Sequence, residues 1–371
     1  MATVAAINKK FSGQTVMKFG TSALALCAFL AACGNGTPFN GETDDADGST
    51  DGGAGSTSRE GLPTGTENPT PDSDITRTEP EDENGNGQAE GYTYNAGDDT
   101  FTVDGLAFDG NNVYARGTQV ADLGPYAVYE AAETVDDSQT GQPIQQFAHR
   151  AIYGVSKNTD ASGTPKTQFA IVRTGQYADY GFGGFIYKRA GGVTLESAEG
   201  AQGIYTGSTA GIRDFNGAGG MQYTTGTLTV QVDFGDFNDA DGSVGDGVSG
   251  RLSDRRIYDV NGRDVTSDVV ANINAENDSS IASLPAALFE VGPGALDANG
   301  EIIGSINSSF VNNEGDTVAY ESGNYYAVMA GDDSQEIVGV LVLENSEEAQ
   351  GVTARDTSGF IIYRDPTTVT P

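Results

Sequence analysis

Cysteine is nearly absent from this chain: Cys27 and Cys33 are the only two, and both lie near the N-terminus. From Gly34 onward there is no thiol, which excludes disulfides, thiolate catalysis and cysteine-containing metal sites from the body. Tryptophan is missing altogether and His149 is the lone histidine. A Ser-His-Asp arrangement would have to use that single imidazole, and no Gly-x-Ser-x-Gly elbow accompanies it. A histidine zinc site fails for want of a second imidazole. His149, between Ala148 and Arg150, is therefore read as a strand or surface residue. Positive charge is also scarce, with 19 basic residues against 53 acidic ones and a net charge of −34. No basic stripe exists to displace counterions from phosphates, so nucleic acid is excluded as a partner. A glycosidase needs only two carboxylates, but with so many acids no pair stands out. A carboxylate hydrolase is thus the remote reading, and no enzyme is expected.

Long apolar runs are lacking too. The longest, Phe19 to Leu30, falls short of the about 20 residues a membrane-spanning helix needs. Its setting is informative: Lys18 precedes it, and Leu30-Ala31-Ala32-Cys33 closes it. A basic n-region, an apolar h-region and small residues before a cysteine form a lipoprotein signal over residues 1–32, with Cys33 as the lipidated residue. Cys27 is the rival, but the bulky Leu26 precedes it. An ordinary secretory signal cut after Ala32 is the plainer alternative. Met17-Lys18 could serve as the start as well as Met1. The three basic residues before Cys33 leave with the signal, so the chain from Cys33 carries 53 acidic and 16 basic residues. Such a surface keeps an exported protein soluble and favours cationic partners.

Residues 33–91 are rich in Gly, Thr, Asp, Glu, Asn and Pro. From Gly34 to Gly91 there are 14 acidic residues, two basic ones and a single aromatic, Phe39. This composition predicts a disordered, self-repelling tether that holds the body away from the membrane. Neither Asp44 to Gly53 nor Glu79 to Gly87 has calcium-loop spacing. The acidic stretch Asp233 to Gly242 fails the same test, because Phe237 stands where such a loop would begin.

From Tyr92 the character changes. Short alternating runs of Tyr, Phe, Val, Ile and Thr are separated by Gly, Asn and Asp, which predicts antiparallel strands with one buried and one wet face. In Thr224 to Phe234, for example, Leu228, Val230, Val232 and Phe234 share a side. Further runs are 168–172, 184–187, 301–306, 323–329, 336–343 and 359–363. Asp109-Gly110, Asn261-Gly262 and Asn299-Gly300 supply reversals. Only Pro125 to Ala132 and Ala282 to Phe289 are candidates for short helices. The fold class is all-β, and a turn-rich stretch near residues 190–201 divides a smaller sheet subdomain, 92–200, from about eight strands in 201–365 that can close into a barrel.

Within that second part, Gly323-Asn324-Tyr325-Tyr326-Ala327-Val328-Met329-Ala330-Gly331-Asp332-Asp333-Ser334-Gln335-Glu336-Ile337-Val338-Gly339-Val340-Leu341 resembles the barrel hairpin of transferrin-binding protein B-like surface lipoproteins. Gly203-Ile204-Tyr205-Thr206-Gly207, Val248-Ser249-Gly250-Arg251-Leu252 and Thr357-Ser358-Gly359-Phe360-Ile361 are similar to other elements of that family. Here Asp332 replaces the turn proline, and there is one lobe where transferrin-binding protein B has two. The resemblance implies an eight-stranded antiparallel barrel beside a β handle. It also implies a lipid anchor in the Gram-negative outer membrane, display at the cell surface, and capture of a partner protein or an iron- or haem-bearing ligand. Glu336 and Gly339 are then turn and packing positions, and no binding residue carries over. The residues themselves offer one candidate binding cluster, Tyr177, Tyr180, Phe182, Phe185 and Tyr187 followed by Lys188 and Arg189. Aromatic and arginine side chains are enriched at binding hot spots, and a tyrosine could also ligate haem iron, the one cofactor considered. The plainer alternative is a hairpin whose aromatics fill the handle core. A structural or adhesive surface role remains the alternative function.

Overall fold

A computed structural model describes residues 61–80, 89–106, 113–136, 140–145, 147–175, 182–196, 201–234, 247–290, 295–345 and 352–366. Cys33 and the signal lie outside them. The handle is built from β1 (Thr64–Gly65), β2 (Ile75–Thr78), β3 (Gly91–Asn95), β4 (Thr100–Asp104), β5 (Tyr114–Arg116), β6 (Asp122–Leu123), β7 (Tyr126–Glu130), β10 (Arg150–Val155), β11 (Thr167–Arg173) and β12 (Gly183–Arg189), while β8 (Thr134–Asp136) and β9 (Pro143–Gln145) form a separate hairpin. The sheet order is β1-β2-β12-β11-β10-β7-β5-β4-β3, with β6 beside β7. Every pairing in it is antiparallel.

The barrel follows: β13 (Gln202–Phe215), β14 (Ala218–Asp233), β15 (Val248–Asp259), β16 (Ala287–Phe289), β17 (Glu301–Val311), β18 (Thr317–Ala330), β19 (Glu336–Asn345) and β20 (Ala354–Arg364). The eight strands close in chain order, β20 returning to β13. Closure removes the free edges that an open sheet would leave. Alternation works as expected at Leu228, Val230 and Val232, which point into one apolar cluster with Phe234.

Three sequence expectations need correction. The acidic zone is not a tether throughout, because residues 61–80 form a strap whose strand β2 pairs with β12. Ile75, fully buried, and the strap's only internal cation, Arg77, are enough to anchor it, although its overall composition is that of a solvated chain. Pro125 to Ala132 contains strand β7 and not a helix, with Tyr126, Val128 and Tyr129 buried. Ala282 to Phe289 ends in strand β16, and the single helix among the described residues, α1, spans Thr266–Asn277 instead. It buries Val269, Val270 and Ile273 on one face and stops at Asp278, whose positive φ of 46° lets its N–H bond the Asn274 carbonyl. Strand β16 is short, and α1 packs with Ile257, Leu284, Phe310 and Tyr320 beside it.

The handle sheet buries both faces. One carries Phe101, Tyr114, Tyr129, Tyr153 and Ile186. The other, with Ile75, Val128, Ile152, Phe169 and Phe185, lies on the outside of barrel strands through Ile212, Val328, Val340 and Ile361. Phe169 is the wedge of this seam. A Cβ at Gly154 of the handle or at Gly359 of the barrel would stand 2.2 Å from its ring, so glycine on both sides permits the contact.

Candidate functional site

The seam is held by charge as well as hydrocarbon. Arg77 of β2 donates from Nε and Nη2 to the two Glu301 oxygens at 2.7 and 2.8 Å, a bidentate pair buried on both sides. Arg173 of β11 reaches Glu79 at 2.8 Å and donates to Thr357 Oγ1 at 2.8 Å, while Arg355 lies 3.4 Å from Asp214. Burial pushes the Glu79 carboxyl up, but Arg173 and Arg355 outweigh it and hold the group below its ordinary range. Glu336 of β19 accepts from Ser156, Asn158 and Thr167 of the handle at 2.6, 2.5 and 2.7 Å. The conformation of Tyr126 is fixed the same way, its hydroxyl donating to Ser208 O at 2.8 Å and accepting from Ile361 N at 2.8 Å. Breaking a buried pair by removing one partner leaves an uncompensated charge, so these pairs tie the handle to the barrel.

Among the described residues the barrel interior is packed in two halves of different chemistry. One half is hydrocarbon, including Leu228, Val230, Ile306, Leu341 and Phe360. The other holds Arg255, which donates to both Glu321 oxygens at 2.5 and 2.9 Å, with Ser308 adding 2.9 Å and Thr224 and Ser358 bonding Asp356 at 2.9 and 2.6 Å. The void beside Arg255, Asp356 and Ser358 is about 10 Å³, room for one water at most. Larger hollows open on the outside among the described residues. One of about 710 Å³ runs along α1 between Arg256, Asp264, Asn274 and Leu284, and one of about 560 Å³ sits at the seam between Lys157, Glu196, Asp333, Tyr363 and Arg364. Among the described residues no three His, Cys, Asp or Glu side chains are grouped to hold a metal ion, and no helix is long and apolar enough to cross a membrane.

The expected binding cluster divides. Tyr177 and Tyr180 lie outside the described residues. Phe182 is half-buried and stacks on Phe147, ring centroids 6.2 Å apart. Phe185 and Tyr187 are core residues of the seam. Arg189 is not an exposed anchor: it donates to the carbonyls of Asn299 at 2.6 Å, Ser73 at 2.8 Å and Met329 at 3.1 Å, which knits strap, handle and barrel together. Burial lowers its pKa to about 10. His149 is likewise buried and not on the surface, its Nδ1 3.0 Å from the Phe147 carbonyl. Lys188 places Nζ 4.2 Å above the Tyr92 ring. Residues 235–242 of the acidic stretch lie outside the described residues.

Sequence reading missed a second aromatic patch on the handle. Asp99, held at φ 51°, accepts from the hydroxyls of Tyr129 at 2.7 Å and Tyr94 at 3.2 Å and from Arg116 Nε at 3.1 Å. The Tyr129 hydrogen bond, reinforced by Arg116, holds the Asp99 carboxyl below its ordinary range. The signal was present in the alternation Tyr92-Thr93-Tyr94, but only the fold brings Arg116 and Tyr129 to it.

The described residues form a closed eight-stranded antiparallel barrel beside an antiparallel handle sheet. Among solved structures the chain is similar to one described as a surface lipoprotein, with 12% identity and TM-score 0.27 over 57% of this chain and 81% of that one. It is also similar to a double mutant of the vaccine antigen transferrin-binding protein B from Haemophilus parasuis Hp5, with 10% identity and TM-score 0.32 over 74% of this chain and 44% of that one. Intact Ap-TbpB, with N and C lobes, matches at 12% identity and TM-score 0.28, covering 64% and 39%. The chain thus spans less than half the length of those two transferrin-binding protein B structures. With TM-scores this low, no ligand or residue role passes from those proteins to this one. No family model matches the chain, and no curated protein matches it.

Proposed function

We propose that this chain is a lipoprotein, lipidated at Cys33 and displayed from the Gram-negative outer membrane, that captures a partner protein on its outer surface. The observation that carries the reading is the packing of the charged half of the barrel: about 10 Å³ is free beside Arg255, too little there for haem or another small solute, which favours uptake on the outside. A handle tied to the barrel by buried pairs suits that task, because surfaces held in advance lose little conformational entropy on binding. The strong negative charge favours a basic partner and faster encounter. Of the handle cluster, Tyr177, Tyr180 and Phe182 remain as contact residues, while Phe185 and Arg189 serve the fold.

Two measurements test the proposal. Cys33→Ala is expected to abolish palmitate labelling and leave an unprocessed precursor; normal maturation of that variant overturns the lipoprotein reading. A pull-down with the full chain, run beside a haemin titration, addresses capture. Stoichiometric retention of a protein, weakened in Tyr180→Ala, supports it. A saturable haemin absorbance change that disappears in Tyr180→Phe, with no protein retained, replaces it with direct haem ligation.

A further inference from the structure

The handle sheet ends on one side in β1, two residues long, and on the other in β3, Gly91-Tyr92-Thr93-Tyr94-Asn95. Among the described residues nothing pairs with the outer side of β3. Its N–H and C=O groups that face away from β4 therefore present a ready template for another strand. Exposed edges are usually blunted by lysine, proline, a bulge or a covering element; β3 has no lysine or proline, and Thr93, Tyr94 and Asn95 are exposed. Five residues span about 17 Å, a normal length for strand addition.

The side chains around this edge are arranged for contact. Tyr94, 36% exposed, leans on Tyr153 and Tyr129 with centroids 5.1 and 6.2 Å away, and its hydroxyl is tied to Asp99. Tyr92 stacks on Phe101 at 5.2 Å. Both rings are held before any partner arrives, which lowers the entropic cost of binding. Glu90 and Asp104 flank one end of the strand and Asp98 and Asp99 the other, four carboxylates with Lys188 and Arg116 as the nearby cations. The edge also continues into the Phe182 end of the handle, since Ala89 N bonds the Gly183 carbonyl at 3.1 Å.

We infer that the outer edge of β3 is a docking edge that adds an extended, basic segment of the captured protein as a further antiparallel or parallel strand. Main-chain hydrogen bonds supply affinity, and cationic side chains facing the flanking carboxylates and the Tyr94 ring supply selectivity. A second copy of this chain does not fit, because pairing two such edges would bring the same carboxylates together.

The inference rests on the capture reading above, and its test separates the two. The probe is the heptapeptide acetyl-Thr-Lys-Val-Lys-Val-Lys-Thr-amide added to the full chain, with hydrogen exchange read segment by segment. Slowed exchange is expected over 91–95, with binding weakened about tenfold or more by Tyr94→Ala, as for a hot-spot aromatic, and similarly by Thr93→Lys, which places a like charge on the edge. Asp268→Asn, on exposed α1, changes net charge by the same single unit and is expected to leave binding unchanged. Unslowed exchange over 91–95, or equal weakening by Thr93→Lys and Asp268→Asn, overturns the docking edge. Protein capture that survives Thr93→Lys removes the edge but keeps the receptor, whereas absence of capture by the unaltered chain removes the receptor itself.

Discussion

The two halves of the barrel interior are closed by the same strands yet filled with opposite chemistry. Toward Leu341 and Phe360 the interior is hydrocarbon, which tolerates any neighbour of suitable volume. Toward Arg255, Glu321 and Asp356 it is charged, and each group there requires its partner at hydrogen-bond distance. The apolar half contributes stability by area removed from water. The charged half adds little net stability once desolvation is counted, but it accepts only the register in which Ser308 and Thr224 arrive as well.

The largest effect that would sharpen this contrast is Glu321→Ala, which strands the Arg255 guanidinium in the interior. Unfolding in urea is expected to show a loss of about 3–5 kcal/mol, and Arg255→Met placed on the same chain is expected to restore much of it. Leu341→Ala in the apolar half is expected to cost about 3 kcal/mol, with no comparable rescue by a second apolar change. A loss for Glu321→Ala no greater than that of an exposed residue would break the comparison.

Gly339→Val comes next, at about 1–3 kcal/mol from overpacking. A Cβ at that position would lie 2.3 Å from the Tyr326 carbonyl oxygen and 2.5 Å from Ala327 Cβ, and both atoms belong to the neighbouring strand. This position was legible from the Glu-x-x-Gly pattern, as were most barrel strands, because alternation reports one wet face directly. The partners of Glu336 were not. Ser156, Asn158 and Thr167 lie 169 to 180 residues earlier in the chain, and no local pattern announces a contact across subdomains. The same limit explains Arg189: a cation after an aromatic run reads as a surface anchor until the strap is seen to cover it. The strap itself escaped notice because composition averages over many residues, whereas Ile75 and Arg77 alone fix it.

Acidity separates the halves more gently. Burial pushes Glu321 up, but Arg255 outweighs it and sets the folded value below the ordinary 4.5. Its contribution is therefore complete above that value and lost as pH falls through the folded one. Burial raises Asp356 despite Arg255; its contribution is largest at low pH and declines as pH rises through the folded value. Thermal melts of the unaltered protein are expected to fall on acidification below about pH 4.5, with a shallower decline in Glu321→Gln. An unchanged slope in that variant would assign the acid sensitivity elsewhere, such as to Glu79 at the seam. The smallest effect is expected from Asp332→Asn in the exposed β18–β19 turn, within about 0.5 kcal/mol by the same unfolding measurement.

The strap has a mechanical consequence. With Cys33 lipidated as proposed, any drag exerted by a captured protein on the handle is opposed at the membrane through the strap. The first bonds to feel that load are the β1–β2 ladder at Thr64 and Thr78 and the Arg77–Glu301 pair. Of the barrel strands, β17 meets this line of force first, at Glu301. Under tension the strap would yield before the barrel, so the tenacity of the anchored receptor is set by a few strap residues whose hold on the barrel runs through Arg77–Glu301, Glu79–Arg355 and Ile75.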